Sequence, residues 1–413
     1  MIVKDMDLNL IERLDQTFGT PFYLMDGDKY LSNITAFKSA FPSGLQPIVG
    51  YSFKTNYVPA LCQIAKEAGC YAEVVSEMEY ALAKRIGFEK IIFNGPIKKD
   101  NILYQALKEG AIVNLDSIYE VESVLLYKRQ HKNDSISVGL RLNIGLTDDN
   151  GVSKIQCGLR VSRFGFTSDL LGDIIERLRK ADIKIISLHG HTSSSDRAVS
   201  NYSIIVKQML DVCKRYNLEE LRYFDVGGGF FGAAADGIDT SGKPAYEDYA
   251  NIIVGECNKS DWFRRINPSI VIEPGVSVTA NVFSYISKIM QVKTIACQKF
   301  LITDGTVFDV KPTLHNNNLP HVFYSHKTSK KTCQANLVGS TCMEKDVILK
   351  DIKVPVSVSH GDFVKIDGVG AYTMVLSPTF INYLPPIIEL KDGNALVVRR
   401  RQNLEDVLSL YNL

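Results

Sequence analysis

Between residues 47 and 275, short apolar runs alternate with longer amphipathic stretches. The runs are rich in β-branched residues and continuously apolar, which is typical of strands buried on both faces of a parallel sheet. The stretches between them have helical spacing, as in Asp169–Lys180 and Tyr202–Tyr216, and Ser76 followed by Glu79 predicts a helix start. The eight predicted strands are Pro47–Phe53, Tyr71–Val75, Ile91–Asn94, Ala111–Asn114, Ile136–Asn143, Ile183–His189, Tyr223–Val226 and Ser269–Glu273.

Eight strands that alternate with helices predict a (β/α)₈ barrel, and an open doubly wound sheet is the alternative. The pattern changes beyond about residue 280, where turn residues separate short strand-like runs and helical periodicity is scarce. A mostly β second domain is therefore expected. Its predicted strands include Val282–Ile286, Phe300–Thr303, Val354–Val358 and Phe363–Ile366.

Charge and cysteine content narrow the function classes. The chain has 413 residues and a net charge of +1, and its longest basic run is Arg399–Arg401, so nucleic acid and anionic membranes are poor partners. The eight cysteines contain no CxxC pair, which argues against a disulfide framework or a zinc ribbon. Because the N-terminus has no signal-peptide pattern, we expect a cytoplasmic protein. We also expect no bound metal, because the cysteines and histidines lack the spacing of a metal site.

Polar residues cluster at the carboxyl ends of the predicted strands. The βα loops of a (β/α)₈ barrel converge there, and active sites form on that face. One such residue would mean little, but seven of the eight strands contribute. The residues are Lys54, Glu73, Asn94, Arg141, His189, His191, Gly227–Gly229 and Glu273.

Two of these features point to specific chemistry. A strand-end lysine is usually solvated, but burial of Lys54 in an apolar barrel mouth would lower the pKa of its amine and favour Schiff-base formation. Gly227–Gly229 follow the seventh strand, where backbone amides can bind a phosphate; a tight turn is the alternative. The sequence there is not GxGxxG, so no dinucleotide fingerprint is indicated.

Other candidates are ambiguous from the residues alone. Glu273, in a Glu-Pro-Gly turn, could pair with a cofactor's pyridine nitrogen or form a structural ion pair. His189 and His191 lack the further ligands that zinc requires, so an imidazole packed against an aromatic cofactor or a buried core histidine is preferred. Cys342 is by default an apolar thiol.

Taken in order, these segments resemble the fold-type III enzymes that depend on pyridoxal phosphate (PLP), specifically the diaminopimelate and ornithine decarboxylase family. The resemblance implies an alanine racemase-like barrel at residues 28–278, a β-rich domain made of residues 1–27 and 279–413, and PLP as cofactor. The matching motifs are Tyr51–Asn56, Ala72–Ser76 with Glu79, Asn94–Pro96, Arg141–Asn143, Ser162–Gly165, Leu188–Ser194, Asp225–Phe230, Glu273–Gly275 and Gly370–Tyr372.

The same resemblance implies roles for individual residues. Lys54 would bind PLP covalently, His191 would stack on the ring and Glu273 would pair with the ring nitrogen. Cys342 would protonate the substrate after carbon dioxide leaves, from the partner subunit of a head-to-tail homodimer with shared active sites. The implied cofactor-binding set is completed by Glu73, Arg141, Ser194, Gly227, Gly228, Gly229 and Tyr372.

Several residues depart from the family's pattern. Val276 replaces an arginine that contacts the phosphate, a loss of about 1.5–3 kcal/mol unless another group compensates. Lys311 and His315 fall where the family binds a distal carboxylate, and Met343, beside Glu344, replaces an acidic residue. From these four predicted substrate contacts we expect a PLP-dependent decarboxylase of a modified or carrier-attached amino acid, neither meso-diaminopimelate nor plain ornithine. An amino acid racemase or epimerase on the same scaffold and a non-catalytic PLP-binding protein are the alternatives.

Overall fold

The computed structural model describes residues 6–148, 150–155, 161–391 and 393–412. The chain divides into a barrel unit, Leu31–Gly232 with Ser241–Val278, and a β unit, Met1–Tyr30 with Ala233–Thr240 and Thr279–Leu413. Of the segment 1–27 assigned to the β-rich domain, residues 1–5 lie outside the described residues. No helix in the described ranges is long and apolar enough to cross a membrane.

The secondary structure follows the alternation seen in the sequence. The strands are β1 (Phe22–Met25), β2 (Ile48–Ser52), β3 (Tyr71–Val74), β4 (Ile91–Phe93), β5 (Ile112–Leu115), β6 (Ile136–Arg141), β7 (Ile183–His189), β8 (Tyr223–Asp225), β9 (Ser269–Ile272), β10 (Phe283–Ile295), β11 (Gln298–Thr303), β12 (His321–Tyr324), β13 (Thr332–Val338), β14 (Val347–Pro355), β15 (Phe363–Asp367), β16 (Ile387–Lys391) and β17 (Asn394–Arg399). The helices are α1 (Leu8–Phe18), α2 (Gly27–Ser39), α3 (Pro59–Glu67), α4 (Glu77–Ile86), α5 (Asp100–Lys108), α6 (Ile118–Gln130), α7 (Ser168–Lys180), α8 (Val199–Arg215), α9 (Tyr246–Asn258), α10 (Asp261–Ile266), α11 (Val276–Thr279), α12 (Thr373–Leu376) and α13 (Leu404–Leu408), with 3₁₀ turns at Phe53–Thr55 and Val307–Asp309.

Strands β2 to β9 form a closed parallel barrel. The last strand pairs with the first, through Ile48 with Val271 and Val49 with Ile272. The predicted barrel is therefore confirmed, and this closure excludes the open doubly wound sheet. The strands read as continuously apolar because one face packs into the barrel and the other against the surrounding helices.

Helices α4 and α6 begin with the same capping arrangement. The hydroxyl of Ser76 accepts a hydrogen bond from Glu79 N at 3.2 Å, and the Glu79 carboxylate accepts one from Val75 N at 2.7 Å. Ser117 and Glu120 repeat the arrangement at the start of α6. Because these side chains satisfy amides that the first helical turn leaves unpaired, each helix starts directly after its strand.

The β unit contains a sheet with the strand order β14-β13-β11-β10-β1-β16-β17. Strand β1 pairs antiparallel with β10 and parallel with β16, so the N-terminal strand belongs to the same sheet as the C-terminal ones. The mostly β second domain is confirmed. Strand β10 extends well past the predicted Val282–Ile286. The prediction was too short because the second half of the strand is solvent-exposed and lacks the apolar pattern of a buried strand.

Candidate active site

The loops after the barrel strands surround a cavity of about 300 Å³. They lie at the carboxyl ends of the strands, where side chains from successive strands meet. Many of the lining residues were predicted from the sequence. They include Lys54, Glu73, Asn94, Arg141, His189, His191 and Glu273, together with Ser162, Arg163, Phe164 and Ser193.

Lys54 lies in the 3₁₀ turn directly after β2 and is paired with a carboxylate from the next strand. Its Nζ is 2.6 Å from Glu73 Oε2 and donates to Ser52 Oγ at 2.7 Å. Ser52 Oγ donates to the same carboxylate oxygen at 2.5 Å. The Lys54 side chain is 36% exposed and that of Glu73 only 1%, so the amine is not enclosed in the apolar surroundings expected from the sequence.

Asn94 connects the two buried glutamates of the site. Its Nδ2 donates to Glu73 Oε1 at 3.0 Å and to Glu273 Oε1 at 2.6 Å. Asn114 Nδ2 donates to Asn94 Oδ1 at 2.8 Å and so fixes the orientation of the Asn94 amide. Three neighbouring strands, β3 to β5, thus contribute to one hydrogen-bonded network that holds both carboxylates in place.

Glu273 also lies in a compact buried group with His189 and Asp225. One side-chain nitrogen or oxygen from each of these residues, of the kind that can bind a metal ion, lies within 4.8 Å of the others. His189 Nε2 is 3.3 Å from Glu273 Oε2. Burial, and then the neighbouring Glu273 charge, raise the pKa of Asp225 well above its usual value. Burial also acts to raise the pKa of Glu273, but His189 and Lys54 outweigh it and hold that pKa below its usual range. Of these two carboxyl groups, Glu273 is therefore the stronger acid.

His191 is held as a neutral ring beside the glycine loop. Its Nδ1 accepts a hydrogen bond from Gly228 N at 3.0 Å, and its ring is nearly parallel to that of His189, with centroids 6.1 Å apart. Burial and the nearby Arg141 charge lower the pKa of His191 to about 3. The ring therefore stays uncharged at neutral pH.

Two glycines of the loop, Gly227 and Gly228, have no room for a side chain. A Cβ on Gly227 would lie 2.4 Å from His191 Cβ, and one on Gly228 would lie 2.3 Å from the Glu273 carbonyl oxygen. Gly227 and Gly229 also have positive φ angles of 72° and 95°, which glycine adopts without strain. Close packing therefore requires glycine at positions 227 and 228, and the positive φ angle favours it at positions 227 and 229.

Arg141 crosses the rim of the cavity. Its guanidinium donates to Asp116 Oδ2 at 3.2 Å and to the His191 carbonyl at 3.3 Å, and it lies 4.5 Å from the centre of the Phe164 ring. Its Nε is buried without a hydrogen-bond partner among the described residues, as is Nδ1 of His189.

Three predicted site residues, Cys342, Met343 and Glu344, lie in the β unit near the buried carboxylate of Asp346. Val307 N donates to Asp346 Oδ1 at 2.7 Å, and Thr341 Oγ1 donates to Oδ2 at 2.6 Å. Asp346 thus ties the turn Val307–Asp309 to the loop that carries Cys342, Met343 and Glu344. Cys342 and Glu344 are exposed in that loop.

Three more predicted residues of the β unit have different surroundings. Lys311 follows the turn Val307–Asp309 and is 3% exposed, and burial lowers the pKa of its amine. His315 is exposed, and burial of part of its ring lowers its pKa, assisted by the Lys311 charge. Tyr372 is 38% exposed and has a left-handed backbone with φ 62° immediately before α12.

Sequence reasoning assigned no role to several residues of the network. Ser52, Asn114 and Asp116 all lie at or just beyond a strand's carboxyl end, which is the signal that identified the other candidates. The fourth predicted strand, Ala111–Asn114, also ends in polar residues, so its position alone could have identified Asn114 and Asp116 as candidates. Asp225 was seen only as part of the glycine motif.

The barrel-unit residues fit PLP. The Lys54 amine lies at the cavity, the glycine loop contacts the cavity residue His191 through Gly228 N, and the pKa of the buried Glu273 carboxyl is held below its usual range. Together these provide an amine for the aldehyde, an anion-binding loop for the phosphate and a counter-charge for a protonated ring nitrogen.

Comparison with known proteins gives the same assignment. The family model for "Pyridoxal-dependent decarboxylase, pyridoxal binding domain" matches residues 28–280. A diaminopimelate decarboxylase of Helicobacter pylori (strain J99) is 27% identical over 408 residues, covering 97% of each chain. Another, from Aquifex aeolicus, is 26% identical over 407 residues, or 96% of this chain and 93% of that protein.

The solved structures agree with this result. The crystal structure of diaminopimelate decarboxylase from Helicobacter pylori complexed with L-lysine superposes with a TM-score of 0.84 at 25% identity, and covers 97% of this chain and 98% of that one.

Proposed function

The chain belongs to the pyridoxal-dependent decarboxylase family, and within it we propose that this enzyme converts meso-diaminopimelate to L-lysine and carbon dioxide. It is a PLP-dependent carboxy-lyase that acts on a small amino acid. The observation that carries the proposed substrate is its similarity, along 97% of the chain, to a diaminopimelate decarboxylase crystallised with L-lysine.

The expectation that meso-diaminopimelate is not the substrate was wrong. It is overturned by relatives that match nearly the whole chain and are diaminopimelate decarboxylases. The expectation gave too much weight to single substitutions. Lys311 keeps the positive charge that a distal carboxylate needs, and Glu344 supplies a carboxylate beside Met343. The racemase and the non-catalytic alternatives fall with the carboxy-lyase assignment.

The geometry of the barrel-unit residues supports the proposed cofactor contacts. Lys54 would bind the PLP aldehyde, Glu273 would pair with the ring nitrogen and His191 would stack on the ring. When bound, PLP withdraws electrons from the substrate Cα and weakens its bond to the carboxylate. Ser194, Gly227, Gly228, Gly229 and Tyr372 would hold the phosphate, and Glu73 and Arg141 would complete the cofactor-binding set.

The charge distribution suits this arrangement. Glu273 stays ionised because Asn94, His189 and Lys54 stabilise its negative charge, so it can keep a ring nitrogen protonated. His191 stays neutral and therefore adds no competing positive charge. Glu73 positions the Lys54 amine at the cavity.

In this proposal, residues of the β unit recognise the far end of the substrate. Lys311 pairs with the distal carboxylate, and Glu344 pairs with the distal ammonium group. His315 and Met343 complete the distal pocket. Cys342 Sγ donates the proton that replaces carbon dioxide at Cα. A carrier-attached substrate and a cytoplasmic location stay predictions.

We propose a head-to-tail homodimer in which Cys342 enters the active site of the partner subunit. Mixing Lys54→Ala and Cys342→Ala subunits tests this, because each heterodimer would rebuild one intact site. An equal mixture should regain about a quarter of the wild-type rate if subunits exchange freely. No recovery beyond that of the separate variants, with exchange verified by differently tagged subunits, would contradict shared sites.

A substrate panel tests the proposed reaction. The purified enzyme with PLP is offered meso-diaminopimelate, its LL isomer, L-lysine, L-ornithine and L-arginine, and both carbon dioxide and the amine product are quantified. Release of equal amounts of carbon dioxide and L-lysine from the meso isomer alone is expected. Lys54→Ala should abolish this release and Lys84→Ala, at an exposed helix position, should not. Preference for another amino acid would contradict the proposal that meso-diaminopimelate is the substrate.

A further inference from the structure

The glycine loop has two backbone amides available for an anion. Gly227 N donates to Asp225 Oδ1 at 2.9 Å, Gly228 N donates to His191 Nδ1 at 3.0 Å and Phe231 N donates to the Tyr249 hydroxyl at 3.0 Å. No partner among the described residues takes the amides of Gly229 and Phe230. Val276, which follows the Glu273–Gly275 turn, brings no positive charge to an anion bound at these two amides.

Arg197 is tied to this loop through its backbone. The Tyr249 hydroxyl donates to the Arg197 carbonyl at 2.7 Å and accepts from Phe231 N, so one side chain bridges the two segments. Arg197 N also donates to Ser194 Oγ at 3.2 Å. Arg197 thus lies between the serine and the glycine loop that together form the proposed phosphate site.

The guanidinium of Arg197 has no hydrogen bond or ion pair with any described residue. Its side chain is nevertheless half-buried. Burial raises the pKa of the Tyr202 and Tyr249 hydroxyls, and the Arg197 charge opposes that rise at both. The Tyr202 hydroxyl donates to Gly228 O at 2.7 Å, so a tyrosine near the Arg197 charge contacts the glycine loop.

The charged groups nearest to Arg197 in sequence or at the cavity have partners of their own. Asp196, one residue earlier, pairs with Lys154 at 3.1 Å and accepts from Asn201. Arg163, at the cavity rim, stacks over the Phe164 ring at 4.4 Å. Of these groups, Arg197 is the cation connected to both sides of the proposed phosphate site.

We infer that Arg197 is the cation that neutralises the PLP phosphate, in the place left uncharged by Val276. It acts beside the Ser194 hydroxyl and the amides of Gly229 and Phe230. The inference rests on the proposed phosphate site but not on the proposed substrate.

Binding of PLP and of pyridoxal, which lacks the phosphate, to the full-length apoenzyme separates the effects. Arg197→Gln should weaken PLP binding by roughly 10- to 100-fold, as for loss of a charge-assisted hydrogen bond, and leave pyridoxal binding unchanged. Arg197→Lys should restore part of the loss. Arg215→Gln, at the exposed far end of α8, is the matched control and should behave as wild type.

Other outcomes reject the inference in distinguishable ways. If Ser194→Ala weakens PLP selectively but Arg197→Gln does not, the phosphate site stands and the role of Arg197 fails. If neither variant changes the ratio of PLP to pyridoxal affinity, the phosphate site itself is wrong. A selective effect of Arg163→Gln in place of Arg197→Gln would assign the cation to Arg163. Equal weakening of both ligands by Arg197→Gln would show a merely structural role.

Discussion

Replacing Lys98 with methionine should strongly destabilise the barrel unit. Lys98 and Glu120 form an ion pair with both side chains 0% exposed. Lys98 Nζ lies 3.2 Å from each carboxylate oxygen and 3.0 Å from the Gly95 carbonyl. Methionine fills a similar volume but leaves the Glu120 carboxylate buried without a counter-charge.

The expected cost follows from what is left unpaired. Removing one partner of a buried ion pair costs about 3–5 kcal/mol. Glu120 also accepts from Lys98 N and Asp116 N, at 2.9 and 2.7 Å, so the backbone holds its carboxylate in the interior and it cannot escape to water. We therefore place the Lys98→Met cost within this range, about 3–5 kcal/mol.

Urea unfolding followed by circular dichroism measures this cost, and two further variants make the result specific. Lys84→Met removes an exposed lysine paired with Glu109, and should cost less than about 1 kcal/mol. Adding Glu120→Gln to Lys98→Met removes the unpaired charge and should recover at least about 1 kcal/mol. The reasoning is refuted if Lys98→Met and Lys84→Met cost the same, or if the double variant is less stable than Lys98→Met.

Three further predictions concern the site. Burial raises the pKa of Glu79 to about 7. The protonated Glu79 therefore stabilises the folded state fully below about pH 4.5, and this stabilisation is lost as the pH rises through 7. The urea midpoint should fall between pH 5 and 8, and Glu79→Gln should make this fall smaller. Burial lowers the pKa of His191 to about 3, so the free energy of unfolding should fall by up to about 1.4 kcal/mol for each pH unit below 6.5. If His191→Gln loses stability on acidification as steeply as wild type, the prediction is wrong. Gly228→Ala places a Cβ 2.3 Å from the Glu273 carbonyl oxygen and should abolish the absorbance of bound PLP, whereas Gly255→Ala, with nothing within 4 Å, should retain it.

The sequence by itself determined the secondary structure of the barrel and the face that carries the chemistry. Strand and helix periodicity are local properties, so the apolar runs from Pro47–Phe53 to Ser269–Glu273 located the eight strands of a barrel. In a parallel barrel all carboxyl ends face one way, so the order of residues was enough to bring Lys54, Arg141 and Glu273 to one end. The motif at Ser76 likewise identified a helix start, because a cap needs only neighbouring residues.

Only the tertiary structure decided which of these side chains contact one another. Glu73 pairs with Lys54, and Asn94 joins Glu73 to Glu273, through strand registers that no local pattern encodes. The bridge from Tyr249 to Arg197 likewise joins residues 52 positions apart. These contacts depend on packing between segments distant in sequence, and the same packing sets the burial that leaves Glu273 charged and His191 neutral. Pairing and protonation are properties of the folded environment, which is why the residue types could be predicted and their electrostatic states could not.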